Sequence, residues 1–386
     1  MADKKHALMS PSGAERWVNC AGSVPLSDGL PDESSRFADE GSCAHEVAAR
    51  CLTQNVPAAS FIGHSFHNTE VSAEMAEYVD GYVQAVRDHL THASDDLHVE
   101  VELPITPLTG EPDAVGTADA VVLSYVNQEI TLIDLKYGRG VRVQAEQNLQ
   151  LIIYALAVLA LYGVVADWKT VRLVIIQPRA GGISEWVITV DELAAYARTL
   201  LLAADRVRQA QREGAGNYLT PGEKQCQWCR AKATCPALTA QVLEDVAALP
   251  EATPATEIAH LLPRLSMIEG WCKALRAEAE RRLCAGIPIS GFKLIEGKRG
   301  NRAWEKEADV EAMLKSMRLK QAQMYQFKLI SPTQAEKLLK DQPKRWARLL
   351  AHITRKPGEP SLVPATDPHS ALVPAVSRTE FQPITA

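Results

Sequence analysis

Between residues 116 and 136 the chain reads GTADAVVLSYVNQEITLIDLK. Two runs rich in Val, Ile and Leu flank Tyr125-Val126-Asn127-Gln128, the pattern of two antiparallel strands joined by a short turn. With 125–128 as the turn, Leu123 pairs with Ile130, Val121 with Leu132, and Asp119 with Asp134. Directly opposed residues share a face, with Cβ atoms about 4.5 to 5.5 Å apart. Lys136, two positions beyond Asp134, falls on that face too. Val121, Leu123, Ile130 and Leu132 line one face and Val122, Ile133 and Leu135 the other, so both faces are expected to be covered. The rest of the chain must therefore supply helices for two faces and a positive partner for two carboxylates that burial penalises.

A divalent cation held by oxygen ligands meets the second demand. Such an ion polarises a phosphoryl oxygen and lowers the pKa of a water, while a lysine stabilises developing negative charge, so the arrangement points to phosphodiester hydrolysis. A D-x-K read by itself is equally a structural ion pair. His45, in EGSCAHEVAARCL on an expected helix ahead of the strands, would add a neutral ligand, with Glu46 and Glu102 as competing acids. Gln150 and Tyr154 lie at i and i+4 in EQNLQLIIYALAV, with Gln147 just before them. They either contact the DNA backbone, the attacking water and Lys136, or are simply partly exposed. Arg139 and Arg142 follow Lys136 and are placed to bind phosphate or to solvate a loop.

The periodicity around this pair predicts a short helix from Ser10-Pro11 to about residue 19, a second starting near residue 41, and a third over 71–92. Strands are expected at 97–103, 116–124, 129–136, 170–177 and 184–190, with helices over 144–162 and 191–211, the latter capped by Asp191. That order is an α/β fold with a mixed central sheet flanked by helices, its first three strands a meander. We divide the chain into a domain over 1–245, a linker over 246–256, a small basic α+β domain over 257–356 and a Pro-rich extended or disordered tail over 357–386.

CQWCRAKATC places Cys226, Cys229 and Cys235 as C-x2-C-x5-C. Three thiolates at this spacing wrap one metal centre and a fourth completes it. Cys20 is the expected fourth and Cys43 its rival; joining Cys20 to Cys226 closes a loop of about 206 residues. Tetrahedral zinc and an iron-sulfur cluster both suit the spacing. Eight cysteines in 386 residues are too few for a disulfide scaffold. Cys43, Cys51, Cys272 and Cys284 are expected to behave as small buried hydrophobes.

The net charge of -6 argues against a surface that coats nucleic acid throughout. The charge is uneven: residues 264–356 hold 21 Lys and Arg against 10 Asp and Glu, leaving -17 elsewhere. Lys298, Arg299, Arg302 and Trp304 in that region suit a backbone-tracking basic surface, or a solvated face. The start, MADKKHALMSPSGAERW, has no apolar stretch with a cleavage site, and no run reaches about eighteen apolar residues, so a cytosolic, non-membrane protein is expected. No G-x4-G-K-[ST] phosphate loop is present, which excludes that type of ATP motor, and Glu46 directly after His45 does not make the H-x-E of a zinc deaminase.

Taken in order, Cys20, Gly41-x3-His45, GTAD ending at Asp119, Asp134-Leu135-Lys136, Gln150-x3-Tyr154 and C-x2-C-x5-C resemble the RecB-like branch of the PD-(D/E)XK nuclease superfamily. They are similar in particular to its iron-sulfur members, such as the AddB nuclease domain and the CRISPR-associated exonucleases. The resemblance covers about residues 8–240. The segment PSGAERWVNC (11–20) and the stretch GFKLIEGKRGNRAW (291–304) also resemble a phage and prophage family of uncharacterised proteins. The resemblance implies a restriction-endonuclease-like fold, with Mg2+ or Mn2+ on His45, Asp119, Asp134 and the Leu135 carbonyl. It further implies Lys136 at the nucleophile and a structural [4Fe-4S] cluster on Cys20, Cys226, Cys229 and Cys235. DNA is the implied substrate, cut by an exonuclease in phage recombination or DNA-end processing in the host cytoplasm, with a single-strand annealing protein as partner. A second reading keeps the same fold as a nucleic-acid-binding or assembly protein without turnover; the intact Asp119, Asp134 and Lys136 count against it.

Overall fold

A computed structural model describes residues 7–30, 36–180, 182–247, 255–293, 340 and 343–350. The chain divides into two compact units, Met1–Ile295 and Glu296–Ala386. In the second unit the described segment is one helix, Pro343–Leu350.

The first unit opens with α1 (Ala14–Asn19) and α2 (Ser23–Leu26), followed by α3 (Arg36–Gln54), a two-residue hairpin of β1 (Ser65–Phe66) and β2 (Thr69–Glu70), and α4 (Ala73–Asp88). Then come β3 (Asp96–Pro104), α5 (Thr106–Thr109), β4 (Val115–Ser124), β5 (Glu129–Leu135), α6 (Leu149–Tyr162), β6 (Thr170–Gln177), β7 (Gly182–Thr189) and α7 (Val190–Glu213). Three helices close the unit: α8 (Glu223–Gln227), α9 (Pro236–Ala247) and α10 (Ala255–Cys284). The helix of the second unit is α11.

The fold is α/β. Five strands form a sheet in the order β3-β4-β5-β6-β7, antiparallel except for the parallel pair β5-β6. A parallel pair needs a crossover, and α6 supplies it. The β4-β5 register is the expected one, with Leu123 opposite Ile130 and Val121 opposite Leu132.

Both faces are covered. Val121, Leu123, Ile130 and Leu132 pack with Ile152, Ala155 and Val158 of α6, Leu200 and Ala204 of α7, and Trp17. On the other face Val122, Ile133, Leu135, Val174 and Ile176 meet Cys43, Val47 and Cys51 of α3 and Met75, Val79 and Val83 of α4. The α3 and α4 residues recur every three or four positions, so each helix buries one stripe. Cys43 and Cys51 are buried here as expected, whereas Cys272 is half-buried and Cys284 exposed.

Element starts differ from expectation where side chains override periodicity. The second helix begins at Arg36 rather than near residue 41, because its apolar stripe starts only at Cys43 and the turns before it carry no periodic signal. The helix expected from residue 144 begins at Leu149: Ser184 Oγ accepts from the Ala145 N–H (3.0 Å), Gln147 is left-handed (φ 55), and Asn148 caps the first turn. Thr189 rather than Asp191 caps α7, in a reciprocal box with Glu192. The helix expected over 257–283 is α10. It groups with the first unit, and Met267, Ile268 and Trp271 pack with Leu238 and Val242 of α9. Most of the expected basic domain, and the whole expected tail, lie outside the described residues. Among the described residues no helix is long and apolar enough to cross a membrane.

The cap on α7 yields a test. Thr189→Ala removes the side-chain acceptor for the Glu192 N–H, and is expected to lower stability by about 1 kcal/mol, read from the denaturant midpoint.

Candidate functional site

Regular strands alternate faces with a period of two, and β3 and β4 both break that rule at one level. Ala118 belongs to the α6 side of the sheet and Ala120 to the α3 side; Leu97 lies on the α3 side, but Val101 and Leu103 on the α6 side. Between these residues stand Glu100, whose backbone is left-handed (φ 51), and Asp119. Val99 pairs with Ala120 and Val101 with Ala118, so the two acids occupy the same step of the ladder.

The β4-β5 ladder ends one step before Asp119, at Ala120 opposite Ile133. Beyond it the Asp119 side chain takes over: Oδ2 accepts the Leu135 N–H at 2.7 Å, and Oδ1 lies 3.1 Å from His45 Nδ1 of α3. Burial pulls the His45 imidazole toward the neutral form, but the charges of Asp119 and Asp134 outweigh it and raise its pKa. His45, Glu100 and Asp119 each offer a ligand atom within 4.8 Å of the other two, and among the described residues they are the one such group. The same three residues line a small cavity with Tyr82 and Leu135. Glu100 is exposed as a residue, and partial desolvation of its carboxyl, followed by the charge of Asp119, raises it to about 7.

Asp134 is held deeper and is only 4% exposed. Its Oδ1 accepts from Gln150 Nε2 (2.9 Å) and Lys136 Nζ (3.3 Å), while Lys136 Nζ also donates to Gln150 Oε1 (2.8 Å). Oδ2 lies 2.9 Å from the same ammonium but outside hydrogen-bonding geometry, and accepts no hydrogen bond from a described residue. Burial raises the Asp134 carboxyl above the ordinary aspartate value, with Lys136 the largest opposing influence. Tyr154, one turn along α6 from Gln150, is buried, and burial followed by the Asp134 charge pushes its hydroxyl upward. Gly116 makes room for that ring: a Cβ there would fall 2.8 Å from Tyr154 Cε1 and from Pro11 Cγ.

Arg139 and Arg142 sit on the loop after Lys136, which the buried Gln177 pins from β6. Gln177 Nε2 donates to the Val141 carbonyl (2.8 Å) and the Gly138 carbonyl (3.2 Å), and its Oε1 accepts from the Val143 N–H (3.1 Å). Arg139 pairs with Glu74 at 2.8 Å, and Arg142 is exposed. Lys298, Arg299, Arg302 and Trp304 lie outside the described residues. Of the competing acids, Glu46 pairs with Arg50 at 2.6 Å, and Glu102 stands opposite Thr117, two residues beyond the break. Sequence reasoning missed Glu100 and Tyr82. Strict alternation puts Glu100 and Glu102 on one face, and the left-handed backbone of Glu100 that breaks it leaves no mark in composition.

The thiols gather separately. Cys20, Cys226, Cys229 and Cys235 line one cavity with Leu26, Leu219, Lys232 and Leu238. The Thr220 N–H donates to Cys20 Sγ (3.3 Å) and the Gly222 N–H to Cys226 Sγ (3.4 Å). Burial, and to a lesser degree the neighbouring thiols, push Cys226 up to about 11. Cys43 packs in the core on the α3 side against Met75 Sδ at 3.6 Å.

Fold and site together define an α/β protein with a mixed five-stranded sheet, a histidine-carboxylate cleft at the level where two strands change phase, and a separate four-thiol cavity. The chain belongs to the family DUF2800, described as a protein of unknown function, whose model matches residues 6–370. Among solved structures it is similar to the crystal structure of SSO0001, at 16% identity over 56% of this chain and 95% of that one, with a TM-score of 0.25. It is also similar to LHK-Exo in complex with dAMP, at 12% identity over 52% of this chain and 93% of that one, with a TM-score of 0.24.

Two substitutions test the packing of the cleft. Gly116→Val drives a side chain into Tyr154 and Pro11 and is expected to cost about 1 to 3 kcal/mol of stability. Asp134→Asn takes the carboxylate from the Lys136 ammonium 2.9 Å away and leaves that charge without its partner, so in metal-free buffer its denaturant midpoint is expected to lie below that of the unsubstituted protein.

Proposed function

We propose that this chain is a divalent-cation-dependent nuclease that hydrolyses phosphodiester bonds of DNA, acting as an exonuclease in phage recombination or DNA-end processing. One observation carries the reading: Asp119 joins His45 to the Leu135 backbone beside a buried Asp134 that Lys136 and Gln150 hold. An imidazole and carboxylates with converging ligand atoms fit a divalent cation. His45, Asp119, Asp134 and the Leu135 carbonyl would hold Mg2+ or Mn2+, and the bound ion supplies Lewis-acid activation of a phosphoryl oxygen and of water.

The chain's own residues do the rest. Lys136 presents an ammonium where negative charge develops on the phosphate, and Gln150, bonded to both Asp134 and Lys136, fixes their relative position. Tyr154 packs beneath Gln150 on the next turn of α6. Arg139 and Arg142, on a loop pinned by Gln177, contact phosphates of the DNA, and the basic region carrying Lys298, Arg299 and Arg302 tracks the backbone. The four thiols, lining one cavity and receiving N–H donors at two sulfurs, suit a structural [4Fe-4S] cluster. A single-strand annealing protein is the partner this activity calls for.

The test uses anaerobically purified full-length protein on end-labelled single- and double-stranded DNA with Mg2+ or Mn2+. Cleavage stopped by EDTA, and lowered at least about 1,000-fold by Asp119→Ala or Lys136→Ala with unchanged circular dichroism, supports the reading; full activity in either variant removes it. A brown preparation with iron and acid-labile sulfide, bleached by Cys226→Ser, supports the cluster, whereas a colourless zinc-containing preparation replaces it with zinc.

A further inference from the structure

Glu100 holds a backbone conformation that strand geometry does not require. It is a non-glycine residue with φ 51 in the middle of β3. Such residues are uncommon, and they persist where surrounding structure over-determines them. The consequence here is specific. β3 changes phase at Glu100 in step with β4 at Asp119, and the carboxylate of Glu100 arrives within 4.8 Å of ligand atoms on both His45 and Asp119. Neither competing acid does the same, since Glu46 is paired with Arg50 and Glu102 stands two residues beyond the break.

A second observation points to something binding there. Tyr82 of α4 lines the cavity shared by His45, Glu100 and Asp119; the residue is 1% exposed, and its hydroxyl has no hydrogen-bond partner among the described residues. A buried hydroxyl left unpaired is unfavourable, and the exposed Glu100 adds a second carboxylate beside Asp119, which His45 meets at 3.1 Å. A divalent ion carrying oxygen ligands answers both.

We infer that Glu100 is a ligand of the cation, which sits among His45, Glu100 and Asp119 with the Tyr82 hydroxyl facing an oxygen of its coordination shell. This rests on reading the cleft as a cation centre, and adds to it an acid from a strand that the D-x-K pattern does not include. The left-handed backbone of β3 is kept because a regular strand would turn Glu100 away from the ion.

Mn2+ binding to the full-length protein is read from the paramagnetic resonance of the free ion, with thermal unfolding recorded in its presence and absence. Glu100→Gln is expected to weaken Mn2+ binding at least about tenfold and to lose most of the thermal stabilisation that Mn2+ gives. Glu100→Gly, free to adopt the left-handed backbone, is expected to be at least as stable as the unsubstituted protein without Mn2+, yet to bind the ion as weakly as Glu100→Gln. Glu102→Gln is expected to bind normally. Unchanged affinity in Glu100→Gln, or an equal loss in Glu102→Gln, overturns the assignment. DNA cleavage is scored separately: Glu100-dependent binding without cleavage keeps the ligand and removes the nuclease, whereas cleavage with binding indifferent to Glu100 does the reverse. Failure of the unsubstituted protein to bind Mn2+ overturns both.

Discussion

A carboxylate inside a sheet that is covered on both faces is the constraint on which the rest of the structure depends. Asp134 lies near the end of β5 between two apolar cores, where an isolated charge is strongly disfavoured. Lys136 and Gln150 both donate to one of its oxygens, Lys136 donates to Gln150 as well, and the Lys136 ammonium lies 2.9 Å from the second oxygen. Their placement in turn requires α6 to cross the sheet so that Gln150 reaches the end of β5, which the parallel pairing of β5 with β6 makes necessary in any case. Burial raises the pKa of this carboxyl, and the charge of Lys136 opposes it.

The cleft is made by a defect in regularity. Were β3 and β4 to alternate strictly, the acids at their shared step would both face the α6 side of the sheet, away from His45 on α3. Instead a left-handed Glu100 and an Asp119 that replaces a ladder bond with its own carboxylate re-phase both strands together, so that the cores on either side remain apolar. The irregularity is local because the pairings on either side, Val99 with Ala120 and Val101 with Ala118, hold the register. No residue is added to either strand, so this is a change of phase and not a bulge.

The N-terminal segment links this cleft to the thiol cavity. Pro11 lies close to Gly116 and Tyr154, Trp17 is buried in the α6-side core with its Nε1 donating to the Ser10 carbonyl at 3.0 Å, and Cys20 ends α1 at the cavity wall. Gly22 permits the close approach on the far side, where a Cβ would fall 2.6 Å from the Ala215 carbonyl oxygen. A chain of packed residues therefore runs between two places that share no ligand. The cavity brings Cys20, near the start of the first unit, together with a segment about 206 positions later.

Much of this was legible in the residues alone, because the signals are local or symmetric. A four-residue turn between apolar runs determines the register of β4 and β5; apolar residues at both parities require cover on both faces; and C-x2-C-x5-C brings three thiols onto one short segment. Only the tertiary structure decided what depended on contacts between distant segments or on a single backbone angle. Cys20 lines the thiol cavity while Cys43 is buried elsewhere, Thr189 rather than Asp191 caps α7, and the loop before α6 is held by Ser184 and Gln177 rather than wound into the helix. Glu100 rather than Glu102 joins His45 and Asp119. Alternation is a rule about uninterrupted strands, and one residue turned left-handed reverses the face of everything beyond it without altering a letter of the pattern.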